Sequence, residues 1–159
     1  MRVNLKVILF FLLFMGFNTY TMKRKASSDK NKNKRYKLED KNHKFDFRIP
    51  LRNEYILDIK KGKKTIEGRL NKGIFKRIKQ NSIIQFFSNK NTISVRVENI
   101  KYYNDFSEML STENIGKLLP KMNDVEDISE AVNLYRSFPG YKEGERKYGI
   151  LALHLSILE

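Results

Sequence analysis

The sequence contains no cysteine and only two histidines among its 159 residues. Without cysteine, the chain can form no disulfide, no Cys-ligated zinc site and no thiol nucleophile. His43 and His154 lie far apart in the sequence, which argues against a histidine-rich metal site or a Ser-His-Asp relay. We therefore predict no metal and no cofactor. His154 lies in an apolar run, and we expect it to be a hydrogen-bonded residue of the core or of a barrel strand.

Acidic residues are also scarce, with 18 Asp and Glu against 32 Lys and Arg, for a net charge of +14. Residues 1–44 hold 12 basic and 3 acidic residues, a net of +9, and the remaining 115 residues hold 20 and 15, a net of +5. A basic excess favours polyanionic partners such as RNA, DNA or acidic membrane surfaces. An AT-rich coding sequence would also supply abundant Lys, Asn, Ile, Phe and Tyr, so composition alone leaves both explanations open.

The chain begins with an apolar run that is short for a membrane span. Residues 7–17 are 11 apolar residues behind Arg2 and Lys6, whereas a span needs about 20. This pattern is typical of a signal peptide, so we predict a signal-peptide-like leader at residues 1–21 and no stable membrane span in the mature chain. Residues 22–44 are polar and low in complexity. They bury too little apolar surface to offset their ordering entropy and are predicted to be disordered.

Two interpretations of this N-terminal region stay open. A signal followed by a basic, acid-poor stretch resembles the leaders that direct proteins to a plastid-like organelle. If translation starts instead at Met22, the basic clusters at residues 23–25 and 30–37 resemble a nuclear-localisation or RNA-contacting tail. The protein would then be nuclear or cytoplasmic.

Residues 45–159 are predicted to form one folded domain. Helical spacing and capping residues predict helical segments that begin near Asn53, Ile74, Asp105 or Ser107, and Asp124. The last of these carries an apolar stripe that includes Tyr135, which we expect in the core, and ends before Pro139. The segment that follows, "FPGY", is predicted to be a turn.

Strands are predicted where apolar residues alternate or form continuous runs. Residues 81–87 and 92–103 form a predicted hairpin, and Ile93, Val95 and Val97 of the second strand should share its buried face. The run "YGILALHLSIL" is apolar on both faces, as in a central or barrel strand. This mixture of helices and strands, without a βαβ rhythm, predicts a small α+β domain with a twisted or closed sheet and flanking helices.

The stretch "GKKTIEGRL", residues 62–70, carries a recognisable pattern. Its Gly62-x-Lys64-x-x-Glu67-x-Arg69 spacing resembles the signature of the ASCH domain, a β-barrel relative of the RNA-binding PUA domain. The segments that follow, "ISVRVENIKYYNDFSEML", "YRSFPGY" and "YGILALHL", are similar to the family in the same order, so the resemblance covers about residues 52–156. It implies a PUA-like barrel with a cleft beside the signature loop that binds RNA or nucleotide-like ligands.

The signature residues suit such a ligand. Lys64 and Arg69 can hold a phosphate, and Glu67 can either pair with these cations or accept from the amino group of a base. Exposed tyrosines stack on bases for about 1–3 kcal/mol each, and Tyr102 is one further candidate. The predicted ligand-binding residues are Lys64, Thr65, Glu67, Arg69, Tyr103 and Tyr141, with RNA or a modified nucleoside as the partner. The alternative is a Glu67–Arg69 ion pair that only organises the turn.

The resemblance also implies enzymatic alternatives. One branch of the family removes an acetyl group from N4-acetylcytidine with a Lys, a Thr three residues later and a downstream Glu. By position these fall on Lys64, Glu67 and Glu113, so the chain departs from the pattern at the threonine. Other members have been proposed as ribonucleases. Lys64, Glu67 and Glu113 are therefore the candidate catalytic residues of a small hydrolase, with Glu145 as a further carboxylate; a protein-interaction domain in an RNA-processing assembly is a third possibility.

Overall fold

The structure is a computed structural model that describes residues 44–158. The predicted leader, residues 1–21, and residues 22–43 of the predicted disordered segment lie outside the described residues. The described part of the chain belongs to one compact unit. It contains a five-stranded half-barrel sheet and several helices, which confirms the predicted α+β fold.

The sheet has two free edges. Its strands are β1 Phe47–Pro50, β2 Ile66–Leu70, β3 Ile83–Phe87, β4 Thr92–Tyr103 and β5 Ile150–Ile157. Their spatial order is β1-β3-β4-β5-β2, with β1 parallel to β3 and every other pair antiparallel. Because β1 and β2 do not pair with each other, the half-barrel stays open between them.

The helices are short. They are α1 Asn53–Lys60, α2 Phe106–Thr112, α3 Ile115–Leu118, α4 Ile128–Arg136 and α5 Tyr141–Tyr148, with 3-10 turns at Phe75–Arg77 and Pro120–Met122. Asp105 caps α2, as predicted, by accepting from the backbone N–H of Glu108. No helix in the described part of the chain has the length and apolar character needed to cross a membrane.

One predicted helix start is wrong by a few residues, and one predicted cap is displaced by a single residue. Asp127, and not Asp124, caps α4, because its side chain reaches the backbone N–H of Ser129. A capping side chain must stand directly before the helix to reach these N–H groups. Asn53 is the first residue of α1, and Arg52 precedes it without a side-chain cap.

Strand β4 shows the predicted alternation. Ile93, Val95 and Val97 are buried, and Ser94 and Arg96 between them are half-buried. Their apolar side chains join a core inside the half-barrel that also takes side chains from the rest of the sheet and from α1: Ile56, Ile59, Ile84, Phe86, Leu151 and Leu153.

Strand β5 separates this core from a second one, and it is buried on both faces as predicted. Ile150 and Ala152 point to the opposite side from Leu151 and Leu153. There they pack against α2 and α4, whose largest buried side chains are Phe106, Met109, Leu110 and Tyr135. Tyr135 therefore lies in the core, as expected.

The expected signature loop is only partly a loop: residues 62–65 lie in a turn and irregular segment, and the rest of the signature is a strand. Residues 66–70 form β2, which pairs antiparallel with β5. Ile66 and Leu70 enter the second core, while Glu67 and Arg69 alternate with them on the other face. The two charged side chains therefore point from an edge strand toward the opening of the half-barrel.

Candidate functional site

A cleft of about 730 Å³ opens between the free edges of the half-barrel. Its volume falls within the range of about 300–1,000 Å³ that is typical of small-molecule sites. One side is formed by the end of β1 and the turn after β3, and the other by β2 and the segment that joins α4 to α5. The lining residues are Pro50, Leu51, Arg52, Tyr55, Lys64, Glu67, Gly68, Arg69, Phe87, Ser88, Asn89, Leu119, Tyr135, Phe138, Pro139 and Tyr141.

Lys64 is almost completely buried at this cleft, with 2% of its surface exposed. Its Nζ donates to the carbonyls of Ile66 at 2.8 Å and Leu118 at 2.5 Å, and lies 3.0 Å from Oε2 of Glu67. An ammonium group has three N–H bonds, so each has an acceptor within the protein. Burial lowers the pKa of Lys64, while the Glu67 carboxylate opposes this shift. The amine thus joins the start of β2 to the end of α3 and fixes one oxygen of Glu67.

Glu67 is held between two cations. Its Oε1 accepts from Nε of Arg69 at 2.6 Å, and its Oε2 pairs with Lys64. Burial alone would raise the pKa of the Glu67 carboxyl, but the charges of Lys64 and Arg69 outweigh it and hold that pKa below its ordinary value. An ionised carboxylate can accept about four hydrogen bonds. The oxygens of Glu67 therefore retain acceptor capacity at the cleft.

Arg69 connects this carboxylate to the aromatic part of the cleft. Its Nη1 donates to Oη of Tyr141 at 3.2 Å, and its guanidinium lies 5.1 Å from the centre of the Phe75 ring. Burial would lower the pKa of Arg69, but the Glu67 carboxylate raises it. With Lys64 and Glu67, the cluster carries one positive charge in excess. It therefore favours ligands with anionic or electron-rich groups.

Aromatic rings form one wall of the cleft. Phe106, which lies behind this wall, stacks on Tyr135 at 4.7 Å and on Tyr141 at 5.6 Å between ring centres. Phe138 meets both tyrosines edge to face. Burial raises the pKa of Tyr55 to about 12 and also raises that of Tyr135. These phenols are therefore neutral at pH 7 and able to donate hydrogen bonds.

Four of the seven predicted site residues line this cleft: Lys64, Glu67, Arg69 and Tyr141. Thr65, Tyr103 and Glu113 are not among the lining residues. Thr65 is half-buried, and its backbone joins α3 to β5 through bonds to the Lys117 carbonyl and the Leu155 N–H.

Glu113 belongs to a second polar cluster. Its Oε1 accepts from Oη of Tyr103 at 2.7 Å, and lies 2.9 Å from Nε2 of His154 and 3.2 Å from Nζ of Lys101. Burial would raise the pKa of Glu113, but hydrogen bonds from these neighbours lower it. His154 is hydrogen-bonded, as expected. The structure does not bring Glu113 together with Lys64, so the pair suggested by the amidohydrolase pattern is not formed.

Glu145 has a structural environment of its own. It accepts from the backbone N–H of Phe106 at 3.2 Å and from Nε of Arg136 at 2.7 Å, so it ties α5 to α2 and α4. The described residues include no group of three His, Asp or Glu side chains that could hold a metal ion.

The lining residues that sequence reasoning did not select include Arg52, Tyr55 and Phe138. Arg52 lies over the Phe138 ring at 5.4 Å, and Tyr55 lies beside Lys64, whose Nζ is 5.2 Å from its ring centre. Among these three, Phe138 was the one that sequence could have suggested, because it stands three residues before Tyr141, which was selected.

Comparison with known proteins agrees with this fold. A family model described as "ASCH domain" matches residues 49–159. The crystal structure of hypothetical protein PH0355 is 39% identical, with a TM-score of 0.62, and the match covers 70% of this chain and 98% of that one. The solution NMR structure of protein PF0455 from Pyrococcus furiosus is 38% identical, with a TM-score of 0.58, and covers 71% and 97%. No match was found among curated proteins. The predicted resemblance is confirmed, and this chain belongs to the ASCH domain family of the PUA-like superfamily.

Proposed function

We propose that this chain binds a nucleoside or nucleotide, free or as one unit of single-stranded RNA, in the cleft between β1 and β2. The observation that carries the proposal is a buried, ionised carboxylate, Glu67, beside the guanidinium of Arg69 in a cleft walled by aromatic rings. A base presents a flat face for stacking and N–H donors along one edge.

Glu67 and Arg69 supply an acceptor and a donor side by side. The Watson–Crick edge of a base likewise presents donors and acceptors side by side, and proteins read this edge when the base is unstacked. In this arrangement Glu67 accepts from an amino or ring N–H, and Arg69 donates to a carbonyl oxygen or to a phosphate. The Arg69 bonds to Glu67 and Tyr141 use two of its five N–H groups among the described residues.

Lys64 has a positioning role in this proposal. All its N–H bonds already have acceptors in the protein, so it orients Glu67 and contributes charge without contacting the phosphate. Tyr141 and Phe138 provide the apolar wall on which the base packs. The size of the cleft suits a single nucleotide and not a double helix.

The first prediction concerns Arg69. Arg69→Met should weaken the binding of nucleoside monophosphates to the full chain by about 10- to 100-fold, because charge-assisted hydrogen bonds contribute about 1.5–3 kcal/mol. Isothermal titration calorimetry at one fixed salt concentration measures this change for each of the four monophosphates. Circular dichroism of the variant verifies that it is folded.

Arg77→Met is the matched control, because Arg77 is exposed in the 3-10 turn and does not line the cleft. Both variants lose one positive charge, and both keep the basic N-terminal region. Equal losses of affinity in the two variants would mean that only net charge matters. Absence of binding for all four monophosphates to the unmodified chain would also contradict the proposal.

A hydrolase is the second candidate, and one observation favours it. Burial lowers the pKa of Lys64 beside a carboxylate, an environment in which a lysine can act as base or nucleophile. The saturated hydrogen bonding of Lys64, and the position of Glu113 in another cluster, favour binding without chemistry.

We therefore predict no turnover of N4-acetylcytidine or of short single-stranded RNA by the full chain. An ammonium group whose three N–H bonds are all donated has no free lone pair for attack. Liquid chromatography of the incubated substrates detects cytidine, acetate or RNA fragments. Turnover that exceeds the buffer blank and disappears in Glu67→Gln would overturn this prediction and favour the hydrolase.

A further inference from the structure

We propose that the bound strand of RNA continues beyond the cleft onto a second site, formed by Tyr148, Lys72 and Lys147. This inference rests on the proposed function, and it specifies the ligand as a strand longer than one nucleotide. We call these three residues the Tyr148 platform.

The platform combines an exposed ring with two cations. Tyr148 is 38% exposed, although it lies at the end of a helix that packs on the sheet. The ammonium groups of Lys72 and Lys147 lie 5.5 Å and 5.3 Å from its ring centre, and both lysines are exposed. Both ammonium groups lie over the ring and keep N–H donors for a phosphate. A base that stacks on Tyr148 therefore displaces one of them toward its own phosphate.

The spacing of α5 places this platform in line with the cleft. Tyr141, which lines the cleft, and Tyr148 are seven residues apart, so they lie on the same face of the helix about two turns, or roughly 10 Å, from each other. Gly144 lies between them and packs directly on Leu70 of β2, where a Cβ atom would collide with the leucine. This face of α5 therefore follows the edge strand.

Each of these two tyrosines of α5 contacts a cation on β2 or just after it, and the cations follow the same order along the chain as the tyrosines. Arg69 bonds Tyr141 at the cleft, and Lys72, three residues further on, contacts Tyr148. Two pairs of a tyrosine with a cation thus lie one after the other along the joint between α5 and β2. The first pair lines the cleft, and Lys72 and Tyr148 are not among its lining residues.

This row matches the chemistry of a single nucleic-acid strand. Proteins that bind such strands combine aromatic rings, on which successive bases stack, with a basic groove that follows the phosphates. A base placed in the cleft has its neighbours within reach of Tyr148, and the phosphates between them lie toward Lys72 and Lys147. A free nucleotide would use only the cleft.

The test compares a nucleoside monophosphate with a trinucleotide of the same base, titrated against the full chain and its variants. We expect the unmodified chain to bind the trinucleotide more tightly. Tyr148→Ala should weaken trinucleotide binding by about 5- to 100-fold and leave monophosphate binding unchanged, whereas Tyr148→Phe, which keeps the ring, should retain both affinities.

The lysines are tested through the salt dependence of trinucleotide binding. Lys72→Ala should reduce the slope of log affinity against log salt by about 0.7 if it contacts one phosphate. Lys79→Ala, which removes an exposed lysine from the loop before β3, is the matched control and should leave the slope unchanged.

The two proposals fail in different ways. If no monophosphate binds the unmodified chain, the proposed function of the cleft is wrong. If monophosphates bind but the trinucleotide gains no affinity, or if Tyr148→Ala weakens both ligands equally, the cleft proposal survives and the Tyr148 platform is wrong.

Discussion

Replacing Glu67 by leucine should lower the free energy of unfolding of the full chain by about 3–5 kcal/mol. The substitution removes the carboxylate that lies 3.0 Å from Lys64 and 2.6 Å from Arg69. A buried ammonium and a guanidinium would then face each other without a counter-charge, which is the costly way to break a buried ion pair. The total free energy of unfolding of a native domain is about 5–15 kcal/mol, so this loss is a large share of it. Urea unfolding followed by circular dichroism measures it.

Two variants test the physical reason for this loss. Lys64→Met combined with Glu67→Leu removes both charges of one pair, and we expect it to be more stable than Glu67→Leu alone, because an apolar replacement of a buried pair is often neutral. Glu54→Leu breaks the more exposed ion pair with Lys121 and should cost less than about 1 kcal/mol. Similar losses for Glu54→Leu and Glu67→Leu would contradict the account.

The same carboxylate makes this contribution dependent on pH. The folded chain holds the pKa of Glu67 below its ordinary value of 4.5, so the unfolded chain binds the proton more readily. The stabilisation is therefore complete above that value and is lost as the pH falls through the lower, folded pKa. The difference in unfolding free energy between the unmodified chain and Glu67→Leu, measured at pH 7, 5 and 3, should shrink only at the lowest pH.

Phe106→Ala should cost about 3–5 kcal/mol of unfolding free energy, which is typical of a buried phenylalanine. Phe106 is completely buried, and its ring stacks on Tyr135 and Tyr141 from behind the cleft wall. Its removal leaves a cavity and withdraws support from both tyrosines. Urea unfolding measures the loss of stability.

Tyr102→Ala is the matched control, because Tyr102 is an aromatic residue with 62% of its surface exposed. Exposed positions of this kind change stability by about 0.5 kcal/mol or less. A loss below about 1 kcal/mol for Phe106→Ala would show that the second core closes around the gap, and would refute the proposed support of the cleft wall.

The elements that were predictable from sequence are those with a regular apolar period. The alternation of Ile93, Val95 and Val97 marks β4, and the apolar stripe that includes Val132 and Tyr135 marks α4. In each case the buried face of the element is continuous along the chain. Local pattern alone therefore identifies the element and the face that it buries.

Strand β2 escaped this reasoning because its apolar face is short and its other face is charged. Only Ile66 and Leu70 enter the core, with Gly68 between them, while Glu67 and Arg69 face the cleft. Its partner β5 begins 80 residues after β2 ends. A pairing over that distance leaves no mark in a local window of sequence.

Helix α5 was missed for a different reason. Its sequence, "YKEGERKY", is polar and has a glycine at its centre, which is unfavourable in a helix interior. Tertiary packing stabilises the helix despite this sequence, because Gly144 allows it to approach Leu70 closely. The spacing of Tyr141 and Tyr148 by seven residues was the available indication of a shared helical face.

The sequence was sufficient to propose where the candidate site lies. It was not sufficient to predict which contacts each of its residues makes. The family signature identified Lys64, Glu67 and Arg69, which the structure brings together. Lys64 donates one of its hydrogen bonds to the carbonyl of Leu118, a residue 54 positions away. A local window of sequence does not show this contact. Glu113 was chosen by position in the chain, and the fold turns it toward His154 instead.

The unpaired edges of the sheet, on β1 and β2, could pair with a strand of another molecule. An open edge is a template on which another molecule can add a strand, and proteins block it with lysine or proline. On β2, the Thr65 carbonyl accepts from the Leu155 N–H, so the carbonyl of the next residue, Ile66, points to the free side of the strand. The Lys64 amine donates a hydrogen bond to this Ile66 carbonyl. On β1, Pro50 ends the strand without an N–H to offer. Lys64 and Pro50, which line the candidate cleft, therefore also block part of each free edge of the sheet.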